Sequence, residues 1–286
     1  SMSLPMVLSM LVNSLYNIID SYFVAKISEN AMTALSLVYP LQILINAVAV
    51  GLGIGLNTAA SFYLGAQDHE KANDSASLGM VLSVIHGLVL TFVCVLIVPS
   101  FLHLFTQDES VISYALTYSY IVFGFTTPIT ISIAMEKIFQ AEGQMMITMT
   151  TMLCGCITNI VLDPIFIFGL GPVPEMGIAG AAWATGIGQI VPMVLYFIIY
   201  LKKPLPLRLR IRKGMFDRKL CGRIYGVGIP AALNMALPSL MITALNGILA
   251  SFSAVYVLVL GIYYKLQTFI YLTANGIVQG IRPIAG

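Results

Sequence analysis

The chain has 286 residues, of which 58% are apolar and only 9% charged, with a formal net charge of +2 and a mean hydropathy of +0.92. A soluble domain averages roughly a quarter charged residues, so this composition excludes one. No Lys, Arg, Asp or Glu occurs in residues 35–67, 75–107, 110–135, 176–201 or 225–264, and runs this long exclude a β-barrel as well, whose spans are alternating segments of roughly ten residues.

About 20 residues at 1.5 Å per residue cross a hydrocarbon core of roughly 30 Å. On that measure eight transmembrane spans are predicted, at about 4–25, 35–63, 76–105, 111–138, 145–170, 177–201, 225–250 and 255–284. Span 1 carries Asn13, Tyr16, Asn17 and Asp20 at i, i+3, i+4 and i+7, which is one polar stripe along one helical face. Span 2 contains "GLGIG" at 51–55, but inside a helix and not after a strand, so it is no dinucleotide loop. Span 3 contains His86, read as a hydrogen-bonded packing residue. Span 4 ends in Glu136 and Lys137, read as an interfacial pair.

Span 5 reads "ITNIVLDPIFIFGLG" over 157–171. Asn159 and Asp163 are i, i+4 and share a face, and Pro164 removes the donor that the carbonyl of Ile160 would otherwise accept. "CGC" at 154–156 has neither a second cluster nor a His partner and reads as small packing residues. Span 6 carries Thr185, span 7 has no carboxylate and offers Asn234 and Asn246, and span 8 holds Lys265.

Of the fourteen Lys and Arg residues, nine fall between spans 6 and 7: Lys202, Lys203, Arg208, Arg210, Arg212, Lys213, Arg218, Lys219 and Arg223. The positive-inside rule makes that loop cytoplasmic and, six spans earlier, the N-terminus cytoplasmic too. Lying between two spans, the basic loop is read as topogenic, with no nucleic-acid partner. The expected setting is a multi-pass protein of the cell membrane, monomeric and surrounded by lipid.

Shifted by 225, the start of the chain aligns with its end without a gap. Pro5 meets Pro230, Met10 meets Met235, Leu41-Gln42 meets Leu266-Gln267, Gly51 meets Gly276 and Gly55 meets Gly280. Six helices separate the copies, so they share one orientation, which is the parallel kind of repeat. The expectation is an N-lobe at 1–201 (spans 1–6), a basic linker at 202–224 and the start of a C-lobe at 225–286 (spans 7–8). The eight spans are then part of an all-α polytopic protein of twelve, in two six-helix lobes.

Asp20 lies six residues before Lys26, Asp163 seven before Leu170, and Thr185 eight after Gly177. All three sit roughly 9–12 Å below the outer surface and can share a site. Acids at such depth cost several kcal/mol and face a bundle interior or a wet cavity. With Asn159 and Thr185 as neighbours, Asp20 and Asp163 suit a proton or a small hard cation, because such ions take oxygen ligands.

These residues resemble a known family along the whole chain. "LPMVLSMLVNSLYNIIDSYFV" (4–24), "FQAEG" (139–143), "TNIVLDPIFIFGLG" (158–171) and "MGIAGAAWATGIGQ" (176–189) are together similar to the multidrug and toxic compound extrusion (MATE) transporters. The resemblance implies twelve helices around a central cavity and export of cationic or amphipathic compounds by antiport with H⁺ or Na⁺. It implies an N-lobe coupling site at Asp20, Asn159, Asp163 and Thr185, where Na⁺ could bind, and a substrate cavity lined by Asn13, Tyr16, Asn17 and Tyr118. No cofactor other than the coupling ion is implied, and no enzymatic activity. A lipid-linked precursor flippase of related architecture is the alternative, with several cavity Arg or Lys expected. A receptor, or an intramembrane enzyme using the two aspartates, is further off.

Overall fold

The computed structural model describes residues 3–203, 205–210, 212, 215–253, 255–264, 266–267 and 271. Their regular structure is α-helical: α1 (Ser3–Ala25), α2 (Glu29–Gly65), α3 (His69–His103), α4 (Glu109–Gly124), α5 (Thr126–Ala141), α6 (Met145–Phe168), α7 (Ile178–Lys202) and α8 (Arg218–Ala250), followed by the short apolar α9 (Val255–Tyr264). Six of these are long and apolar enough to cross a membrane, and the bent pair α4/α5 makes a seventh. Span 8 is represented by α9; Lys265, Gly276 and Gly280 lie outside the described residues.

Span 4 is two helices meeting at 46°. Pro128 stands four residues after Gly124, so it cannot donate to that carbonyl and its ring crowds it. The chain breaks there, and Phe125 N–H turns to the carbonyl of Val122 at 3.1 Å instead.

Small residues set the closest helix crossings. A methyl group on Gly51 would fall on Ala232, and one on Gly55 on the carbonyl of Ile224, while Gly228 sits against the backbone of Gly51. This is why "GLGIG" lies in α2: it lets α8 lie along it. Ser239 Oγ adds a 2.6 Å bond to the carbonyl of Pro40 across the same contact. Gly155, in the middle of "CGC", packs against Pro192 and Gly188 of α7, as the packing reading expects, and its neighbouring cysteines are free thiols. His86 also behaves as a packing residue, with Nδ1 2.8 Å from the carbonyl of Leu82 and its ring beside Tyr225.

Two dry cores close the bundle. One, built on Leu35, Val38, Val98, Phe123 and Ala181 among others, lies where α1 ends and α2 begins. The other, around Leu56, Ala76, Ile138, Phe139 and Tyr196, lies at the far end and includes Leu205 and Leu207. Those leucines belong to the segment between α7 and α8, which is a strap and not a free loop. Leu207 N–H donates to Glu142 Oε1 (2.7 Å), Arg208 N–H to Asn73 Oδ1 (2.6 Å), Leu209 N–H to Tyr200 Oη (2.7 Å) and Arg210 N–H to Ser77 Oγ (2.8 Å). Arg212 clamps Asp74 with two bonds of 2.9 and 2.6 Å and also pairs with Glu70. Burial raises the Glu142 carboxyl above its ordinary range, offset by the Leu207 N–H and by Lys203. Because α8 already begins at Arg218, Arg218, Lys219 and Arg223 belong to its first turns.

Candidate functional site

Between the two cores lies a cavity of about 720 Å³. The polar stripe of α1 forms one wall: Asn13, Tyr16, Asn17 and Asp20 all line it. The spacing i, i+3, i+4, i+7 aims four side chains one way, and Asn17 Nδ2 ties the stripe together by donating to the Asn13 carbonyl at 2.8 Å. Tyr118 lines the wall contributed by α4, and its hydroxyl accepts from Gln42 Nε2 at 3.2 Å.

The opposing wall is the crossing of α6 and α7. Asn159 and Thr185 line the cavity there, whereas Asp163 does not, being fully buried at 0% exposure. Asn159 Nδ2 stays on the Asp163 carboxylate in either amide orientation, 3.3 Å from Oδ1 or 3.2 Å from Oδ2. The second also lets its oxygen accept from Thr185 N–H at 3.2 Å, so it satisfies both ends of the amide. Gly188 makes this approach possible, since a side chain there would strike Asn159 Cβ. Asp20 lies within charge–charge reach of Asp163 across the α1–α6 contact. The predicted group is therefore brought together in two layers, Asp20 on the cavity surface and Asp163 closed off behind Asn159.

As oxygen donors, two carboxylates, an amide and a hydroxyl match the ligand preference of Na⁺ and equally provide a proton site. Among the described residues no three His, Cys, Asp or Glu side chains form a transition-metal cluster.

Glu136 and Lys137 form the pair that the sequence reading expects, and the structure adds that both line the cavity, with the Lys137 side chain 4% exposed. Lys137 Nζ donates to Glu136 Oε1 and to Gln140 Oε1, each at 2.9 Å, and Gln140 Nε2 donates to Glu136 Oε1 at 2.7 Å. Asn57 Nδ2 anchors the turn from α2 through the Lys137 carbonyl at 2.9 Å. Gln42 was missed; its signal is a lone amide four residues before Asn46 in an otherwise apolar run.

The MatE family model matches residues 5–165, which takes in the α1 stripe, Tyr118, Asn159 and Asp163. The chain belongs to the MatE family. It is 27% identical over 283 residues to the multidrug export protein MepA of Staphylococcus haemolyticus (strain JCSC1435), covering 99% of this chain and 62% of that protein. Among solved structures, a MOP superfamily transporter from Pyrococcus furiosus, described as having a binding pocket of reverse polarity, superposes with a TM-score of 0.88 at 25% identity. That match covers 99% of this chain and 62% of that one. An outward-facing multidrug resistance MATE family transporter superposes with a TM-score of 0.86 at 26% identity, covering 99% and 63%. This MatE chain thus spans a little under two thirds of the length of its relatives.

Proposed function

We propose that this MatE chain, together with a C-terminal part of the kind its relatives possess, exports organic cations or amphipathic compounds in exchange for H⁺ or Na⁺. The observation that carries the reading is the two-layered acid site. Asp20 faces the cavity where cargo would sit, and Asp163 is sealed behind it within electrostatic reach. An ion or proton held between the two acids favours one placement of α1, and cargo in the cavity favours another. A ligand shifts a two-state equilibrium only by its differential affinity for the two states, so competition through α1 is enough for exchange.

The strap end, where the Lys and Arg residues of 202–223 gather, is assigned to the cytoplasm by the positive-inside rule. The charged side chains lining the cavity among the described residues are Asp20, Glu136 and Lys137, and Lys137 is already bonded to Glu136. That balance suits cationic cargo better than the anionic head groups of a flippase. The test is efflux from proteoliposomes by the full-length protein carrying Asp163→Asn, which keeps the hydrogen bonds and removes the charge. Ion-driven efflux should be abolished while expression stays near normal, and Asp20→Asn should behave alike. Efflux that survives in Asp163→Asn with its pH and Na⁺ dependence intact would make Asp163 a packing residue.

A further inference from the structure

The cavity has a second carboxylate, at the end away from Asp20. Glu136 stands five residues before the end of α5, on the side of the bundle closed by the strap. Its side chain is 14% exposed against 4% for Lys137. Both of its bonded donors, Lys137 Nζ and Gln140 Nε2, converge on Oε1, and a carboxylate offers about four acceptor positions. The lysine is tucked behind, held by Glu136 and Gln140 and backed by Gly53, where any side chain would strike its stem. The same cavity is lined by apolar and aromatic side chains including Ile129, Ile133, Met152, Pro192 and Tyr196, with Ser132 one turn before Glu136.

A buried ion pair is seldom better for stability than apolar side chains of the same volume, so stability does not account for one on a cavity wall. The arrangement is that of a cation anchor. One carboxylate lines the space, its internal donors meet it at Oε1, and apolar and aromatic side chains of the same cavity are available to aryl or alkyl groups.

We infer that Glu136 is a substrate-binding residue that holds the ammonium or phosphonium head of cationic cargo in the strap-side half of the cavity, where the cargo would share the carboxylate with the internal cation Lys137. This rests on the export reading above and adds to it a binding point remote from the Asp20–Asp163 site. Cargo entering from the cytoplasm would meet Glu136 first and Asp20 later, so charge attraction is available at both depths of one cavity.

The experiment uses full-length protein in lipid nanodiscs, with tetraphenylphosphonium as the cationic probe and triphenylphosphine oxide as its neutral counterpart. Glu136→Gln preserves size and hydrogen bonding while removing the charge. It should weaken tetraphenylphosphonium binding about tenfold, the scale of one partly desolvated charge pair, and change triphenylphosphine oxide binding by less than about twofold. The same selective loss should appear in an Asp20→Asn background, which separates the two acids. Lys137→Gln removes the internal cation and should strengthen tetraphenylphosphonium binding. If Glu136→Gln does not fold, Lys137→Gln alone decides, and weaker or unchanged cation binding overturns the inference. Equal loss of both probes in Glu136→Gln, or no change in either, also overturns it while leaving export untouched. Wild-type protein that binds neither probe overturns both.

Discussion

The strap between α7 and α8 can be opened by one substitution. Leu207 is 1% exposed and sits in the apolar core at the strap end, and its own N–H is bonded to Glu142. Leu207→Ala keeps that backbone bond and removes three carbons from the core. Buried Leu→Ala changes cost about 2–5 kcal/mol, the lower part of the range applying where the site can collapse. A strap at the edge of the bundle can settle inward, so about 2–3 kcal/mol is expected. The remaining anchors, at Asn73, Tyr200, Ser77 and Asp74, are unaffected, so the loss falls on the closed-to-open equilibrium of the strap alone. Each 1.4 kcal/mol is tenfold in that equilibrium, which makes the open form roughly 30- to 140-fold more populated. The assay is limited trypsin digestion of the full-length protein in nanodiscs, followed at Arg208 and Arg210. When closing is fast relative to cleavage, the rate follows the open population, so cutting should accelerate by that factor. Wild type and Leu207→Ala cut at equal rates would refute the claim that leucine burial holds the strap.

Gly55→Ala should lower the melting temperature of the purified protein, because the new methyl falls on the carbonyl of Ile224 and over-tight packing costs about 1–3 kcal/mol. Gly65→Ala, whose methyl meets nothing within 4 Å, serves as the control and should be neutral. Asp68 caps α3, and its carboxyl is held below its ordinary value of 3.8 by the Lys71 side chain first and the Lys71 backbone N–H second. A depressed carboxylate contributes stability above its unfolded value and loses it as pH falls through the folded value. Hydrogen exchange of the first turn of α3 should therefore rise only below about pH 3.8, and Asp68→Ala should remove that pH dependence.

Local information fixed much of this protein. Long stretches without charge can satisfy their backbone in lipid only as helices, so the order of the spans follows directly from composition. The helical period put Asn13, Tyr16, Asn17 and Asp20 on one face, and the i, i+4 relation put Asn159 against Asp163; both hold in three dimensions because they depend on a single helix. Two further features were legible and passed over. Pro128 marks the break after Gly124, and Leu205, Leu207 and Leu209 alternate with Arg208, Arg210 and Arg212, a period of two that belongs to a half-buried extended segment and not to a solvated loop.

What the sequence could not decide is which way each helix is turned against its neighbours. Asp20 and Asp163 look equivalent when depth is counted along the chain, yet α1 presents one to the cavity while the α6–α7 crossing seals off the other. Glu136 and Lys137 lie near a helix end, and counting residues along that helix does not show that both turn into the cavity and bond there to one another and to Gln140. Rotation, bend and closure come from contacts between segments far apart in the chain, made possible where glycines let backbones approach, and no single helix encodes them.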